Sequence, residues 1–106
     1  MQKPAEPPND GDLEIDIDGA TVHVRGEIDA HSAAALGAAL HGGDGSVDLD
    51  LAAVEFVDSS GLRVLIEAHQ LLAERGDTLT IVDPSPAVQR MFELSVVDDY
   101  LNIRRS

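Results

Sequence analysis

Between residues 46 and 74 the periodicity of this chain changes within four residues. SVDLDL (46–51) alternates apolar and polar positions, the period of a strand with one buried face, and its apolar neighbours continue to Val57. From Leu62 onward the apolar positions recur at helical spacing. Only Asp58, Ser59, Ser60 and Gly61 stand between the two patterns. A strand that passes so abruptly into a helix returns over its own sheet, and the next strand then lies parallel to it. That stretch is the first sign of an α/β architecture.

The remaining segments extend the pattern. LEIDID (13–18) and TVHVRG (21–26) both alternate, and Asp18-Gly19 between them is a hairpin signal, so the first two strands are expected to be antiparallel. Ser32 is a suitable N-cap for an alanine-rich helix from Ala33 to about Leu40, ended by HGGDG (41–45). The helix after Gly61 stops at Arg75-Gly76. TLTIV (78–82) reads as a strand. SPAVQRMFEL (85–94) reads as a helix capped by Ser85 with Pro86 at its first position, and LNI (101–103) as a short last strand. The expectation is a mostly parallel sheet of about five strands with an antiparallel N-terminal edge hairpin and right-handed helical crossovers. Residues 1–11 hold three prolines and no periodicity, and are expected to form a disordered tail. Residues 12–106 then make one domain.

Composition narrows the chemistry. The aromatic residues are Phe56, Phe92 and Tyr100, so the core must be built from Leu, Ile, Val and Ala. No cysteine is present, which excludes disulfides and thiolate metal centres. Seven basic against 20 acidic residues give a net charge of −13, which disfavours direct binding to nucleic acid or an anionic membrane and suits a basic protein partner. The single lysine is Lys3, so neither a P-loop nor a receiver-domain phosphoacceptor site can be assembled. No G-x-S-x-G elbow occurs, and His23, His31 and His41 lack metal-ligand spacing. No catalytic residue, cofactor or metal is expected. The N-terminus has no apolar signal region, and no stretch approaches the ~18 apolar residues of a membrane span, so a cytoplasmic location is expected.

The helix after the turn has a wide apolar face. With about 100° per residue and Leu62 at zero, Leu65, Ile66, Leu72 and Ala73 fall within about 80° and should face the sheet. Arg63, Glu67, Gln70 and Glu74 gather on the wet side. Val64 and Leu71 lie at about 180–200°, beyond Ala68, where either a neighbouring helix or a partner protein would cover them. His69 falls in the core-facing arc and reads as a core-edge histidine with a hydrogen-bond partner.

Asp58, Ser59 and Ser60 can all cap a helix. A hydroxyl at this point also stands on a loop at the carboxyl end of a strand, where open α/β sheets place functional groups. A phosphate added there is favoured by the free amides and the helix dipole, while a partner lying across the turn would be repelled.

Four segments carry a resemblance to a known family: RGEIDAHSAAAL (25–36), VDLDLAAVEFVDSSGLRVL (47–65), GDTLTIVDPSPAVQRMFEL (76–94) and DDYLNI (98–103). Together they resemble the STAS domains of bacterial anti-sigma factor antagonists. The resemblance implies a regulator that binds an anti-sigma factor, usually an ATP-dependent serine kinase, and so frees a sigma factor. It implies that the kinase phosphorylates Ser59, that this breaks the complex, and that a PP2C-type phosphatase restores it. Asp58 would be the adjacent acid, Ser60 the second hydroxyl and Gly61 the point of close backbone approach. Asp29 would lie beside the partner surface, which Arg63, Val64 and Leu71 would extend along the helix. A scaffold subunit of a stress-sensing complex, or an accessory subunit of an ABC-type lipid transporter, is the alternative role for such a domain. One departure stands out: Ser95-Val96-Val97 occupies a helix end where family members often have glycine, so a left-handed cap is less available there.

Overall fold

Leu13–Asp18 (β1) and Thr21–Ile28 (β2) pair antiparallel, and Gly19, first of the two turn residues, takes the left-handed conformation at φ +64°. This is the hairpin read from Asp18-Gly19. The computed structural model describes residues 13–106, so the tail expected over residues 1–11 lies outside the described residues. The chain continues through Ala33–His41 (α1), Val47–Val57 (β3), Ser59–Glu74 (α2), Leu79–Val82 (β4), Pro86–Leu94 (α3) and Asn102–Arg104 (β5). The described residues thus form one five-stranded sheet in the order β1-β2-β3-β4-β5, parallel from β2 onward. The fold class expected from the alternating periods is the fold observed.

Burial shows how the layers sit. Val22, Val24, Leu49, Leu51, Leu79 and Ile81 are buried, while their neighbours His23 and Arg25 are exposed and Asp48, Asp50 and Thr80 half-buried. One face therefore lies under the helices and the other is solvated. The wet face is laced by cross-strand pairs: Glu14 Oε1 with Arg25 Nε at 3.3 Å, His23 Nδ1 with Asp50 Oδ2 at 2.8 Å, and Arg104 with Asp48 Oδ2 at 3.1 Å. The core is aliphatic except for the fully buried Phe92; Phe56 and Tyr100 remain substantially exposed.

Two irregularities shape the passage from β2 into α1. The β2–β3 register shifts between Gly26 and Glu27, and Gly26 sits at φ +106°, a conformation that glycine alone adopts without cost. The strand runs on past it to Ile28, two residues further than the alternation predicted, and delivers Asp29 to the start of α1. There the expected cap is corrected. Ser32 is buried with helical backbone angles and makes no side-chain cap. Its Oγ instead accepts the Asp29 amide at 3.0 Å and shares its proton between the Glu27 carbonyl and Asp29 Oδ1. Asp29 takes the capping role: its carbonyl accepts the Ala33 amide at 2.9 Å, and its Oδ1 accepts the amides of His31 at 3.0 Å and Ser32 at 3.1 Å.

Candidate functional site

At the carboxyl end of β3, Asp58 leaves the strand with extended backbone angles and caps α2, its Oδ1 accepting the Gly61 amide at 3.0 Å. Its own amide donates to the Ile28 carbonyl at 3.0 Å, which locks the turn to the end of β2. The cap is thus supplied by the carboxylate, and neither serine is needed for it. Ser59 is exposed at the first helical position and Ser60 half-buried at the second; neither hydroxyl has a hydrogen bond among the described residues.

Gly61 is buried beneath this turn for a steric reason. A Cβ there would lie 2.6 Å from Ile28 Cγ2, 3.0 Å from the Ile28 carbonyl oxygen and 3.0 Å from Val57 Cγ1. The first turn of α2 can sit this close to β2 and β3 only because the side chain is missing.

Ala30, Ala33 and Ala34 form one wall of a groove of about 440 Å³, and Ser59, Ser60, Arg63 and Val64 form the other. The helices meet closely: an added Cβ at Gly37 would contact Val64 Cγ1 at 3.7 Å. The alanine wall had no reading as a site in the sequence. Its signal was the density of small residues in AHSAAALGAAL, which is what close helix approach requires.

The structure separates the two residues that the helical projection grouped. Val64 is half-buried against α1 and packs on the core, so a neighbouring helix covers most of it. Leu71 stays 46% exposed and does not line the groove. The buried arc of α2 is also turned from the expected one. It contains Leu62, Leu65, Ala68 and Leu72, whereas Ile66 is half-buried and Ala73 exposed. The face centres toward Ala68 because α2 packs on α1 as well as on the sheet. His69 is half-buried as expected, but among the described residues its contact is an aromatic edge rather than a hydrogen bond: Tyr100 stands 4.9 Å away, ring centre to ring centre, at 61°.

Asp29 lies next to the groove through Ala30, with its carboxylate turned into α1. The Ser32 amide does most to hold that carboxyl below its ordinary value of 3.8; the Ser32 hydroxyl and the His31 amide add to this, and partial desolvation opposes it. Among the described residues no His, Cys, Asp and Glu group is arranged to hold a metal, and no helix is long and apolar enough to cross a membrane.

The comparisons with known proteins agree with this architecture. The family model described as "Mlab, STAS domain" matches residues 12–104. An anti-sigma-B factor antagonist from Listeria monocytogenes is 34% identical over 95 residues, which cover 86% of this chain and 83% of the relative. An anti-sigma factor antagonist from Mycobacterium paratuberculosis superposes with a TM-score of 0.70 at 28% identity, over 86% of this chain and 82% of that one. The Bacillus cell fate determinant SpoIIAA in its phosphorylated form shares the fold at 20% identity, with a TM-score of 0.65 over 89% and 90% of the two chains.

Proposed function

Because this chain belongs to the STAS-domain family of anti-sigma factor antagonists, we propose that it binds an anti-sigma factor of the serine-kinase type across the α1–α2 groove and is released when that kinase phosphorylates Ser59. A PP2C-type phosphatase then returns it to the binding form. The protein acts as ligand and substrate, and catalysis resides in its partners.

The observation that carries this reading is the division of roles in the turn. Asp58 satisfies the helix end, and Ser59 is left exposed with its hydroxyl uncommitted. A phosphate on Ser59 adds about −1.5 to −2 charges. In the free protein that charge stays in water beside the positive end of α2, so the fold tolerates it. Within a complex it would have to be desolvated against the partner, at a cost of several kcal/mol, and each 1.4 kcal/mol is about tenfold in affinity. Ser60, Arg63 and Val64 line the surface that the partner would cover, with Leu71 about 10 Å beyond Val64 along the helix axis. Gly61 and Asp29 support that surface from below and beside it, through close packing and the α1 cap.

The test compares wild type, Ser59→Ala and Ser59→Glu by affinity capture from the native cell lysate, followed by calorimetric titration with the captured kinase. Ser59→Glu should lower affinity at least about tenfold while leaving stability within roughly 0.5 kcal/mol. Ser59→Ala should bind normally and take up no phosphate by mass spectrometry. Phosphate found on Ser60 of Ser59→Ala would move the site. Equal capture by wild type and Ser59→Glu, or capture of an ABC-type ATPase instead, would favour the scaffold or transporter-subunit role.

A further inference from the structure

We propose that a phosphate on Ser59 is held by the guanidinium of Arg63, so that modification ends in an ion pair along α2 instead of a free surface charge. The proposal rests on Ser59 being the modified residue. Positions 59 and 63 are four apart, about 40° around the helix and about 6 Å along it. Helical side chains lean toward the N-terminus, so that of Arg63 is within reach of the turn carrying Ser59, and both residues line the same groove. An anion placed before a cation at this spacing is the favourable order.

The arginine is also available. Arg25, Arg75 and Arg104 hold the carboxylates of Glu14, Asp77 and Asp48, and Arg105 holds Gln89. Arg63 is exposed and makes no ion pair or hydrogen bond among the described residues, although the chain carries 20 acidic side chains against seven basic. Its neighbouring acids do not claim it. Asp58 is committed to the Gly61 amide, and Glu67, one turn further on, forms no pair with it. The facing wall of the groove is alanine, and Asp29 beside it is committed to the His31 and Ser32 amides, so space is left for a phosphate.

The consequence is a double effect of one modification. Phosphorylation places negative charge on the docking surface, and it also withdraws a cation that an incoming partner would otherwise meet.

The test installs phosphoserine at position 59 by genetic encoding, which removes any dependence on the kinase. The second ionisation of the phosphate is followed by phosphorus NMR in the wild-type, Arg63→Gln and Arg63→Lys backgrounds, with circular dichroism to confirm folding. The wild-type midpoint should lie below that of Arg63→Gln by roughly 0.3 pH unit or more, and the gap should close in about 1 M salt. Arg63→Lys should fall between them, since it keeps the charge and loses the planar fork. Equal midpoints for wild type and Arg63→Gln would overturn the proposal while leaving Ser59 as the switch. Kinase modification of Ser59→Ala, in contrast, would remove the switch without affecting the NMR result.

Discussion

Val96 provides a comparison within one molecule. Both α2 and α3 end in the same motif: the amides of Gly76 and Asp77 donate to Ala73 and Leu72, and those of Val96 and Val97 to Glu93 and Phe92. The motif needs a left-handed residue at its bend, supplied by Gly76 at φ +86° in one case and by Val96 at φ +59° in the other. A β-branched side chain resists that conformation, at about 1–2 kcal/mol for an L-residue. It is held because Phe92 is fully buried and Val97 packs on the core, so the bend is imposed from both sides. Val96 is 76% exposed and contributes little packing in return. Val96→Gly should therefore raise stability, by about 0.5–1 kcal/mol after glycine's greater backbone entropy is subtracted. A urea midpoint that is unchanged or lower would show that the bend is not strained. The sequence made Gly76 legible as a helix end; it made position 96 look like a poor one, because the forces that bend it lie in the core.

At the level of elements, α1 depends on an aspartate that precedes it by four residues. The sequence offers Ser32 as the nearest suitable cap, and the family resemblance sets Asp29 beside the partner surface. The structure buries Ser32 and gives the capping bonds to Asp29. The longer strand sets this up: β2 runs on to Ile28, so Asp29 follows it directly and its carbonyl closes the turn that leads into Ala33. A pH dependence follows. The Asp29 carboxyl is held below its ordinary value in the folded state, chiefly by the Ser32 amide, so its contribution is complete above the ordinary value and is lost as pH falls through the lowered one. Asp29→Ala should be less stable than wild type at pH 7, with the difference shrinking below about pH 4. Urea titrations at the two pH values check it, and a difference independent of pH would mean that the carboxylate charge is not involved. The end of α2 is fastened differently. The Arg75 guanidinium reaches the carbonyls of Gly43 and Gly45 at 3.2 and 3.3 Å and also pairs with Asp77, which ties the glycine-rich loop before β3 to the helix.

For the molecule as a whole, charge is the dominant property. The open sheet face arranges Arg25, His23 and Arg104 directly against Glu14, Asp50 and Asp48, yet a net charge of −13 leaves most carboxylates unpaired. Exposed pairs contribute little, so self-repulsion should prevail over them. Raising salt from about 0.01 to 0.15 M, which shortens the Debye length from roughly 30 to 8 Å, should raise the melting temperature by a few degrees. A melting temperature that falls over that range would mean that the cross-strand pairs outweigh the repulsion.

Periodicity sufficed for the number of strands and helices and for a mostly parallel sheet with an antiparallel edge hairpin, because a period of two or of 3.6 records burial on one face and sequential crossovers admit few arrangements. The DSSG turn was legible as a helix start for the same local reason. Three things required the folded chain. Which of Asp58, Ser59 and Ser60 caps α2 depends on the tether between Asp58 and Ile28 at the end of β2. Which side of α2 is buried depends on α1, whose alanines bring a second helix against Val64 and leave Leu71 outside. And among the described residues Arg63 stands unpaired beside Ser59, although Asp58 and Glu67 lie near it in sequence. The first two are contacts between segments distant in sequence and the third is a choice among close neighbours; no local period records any of them.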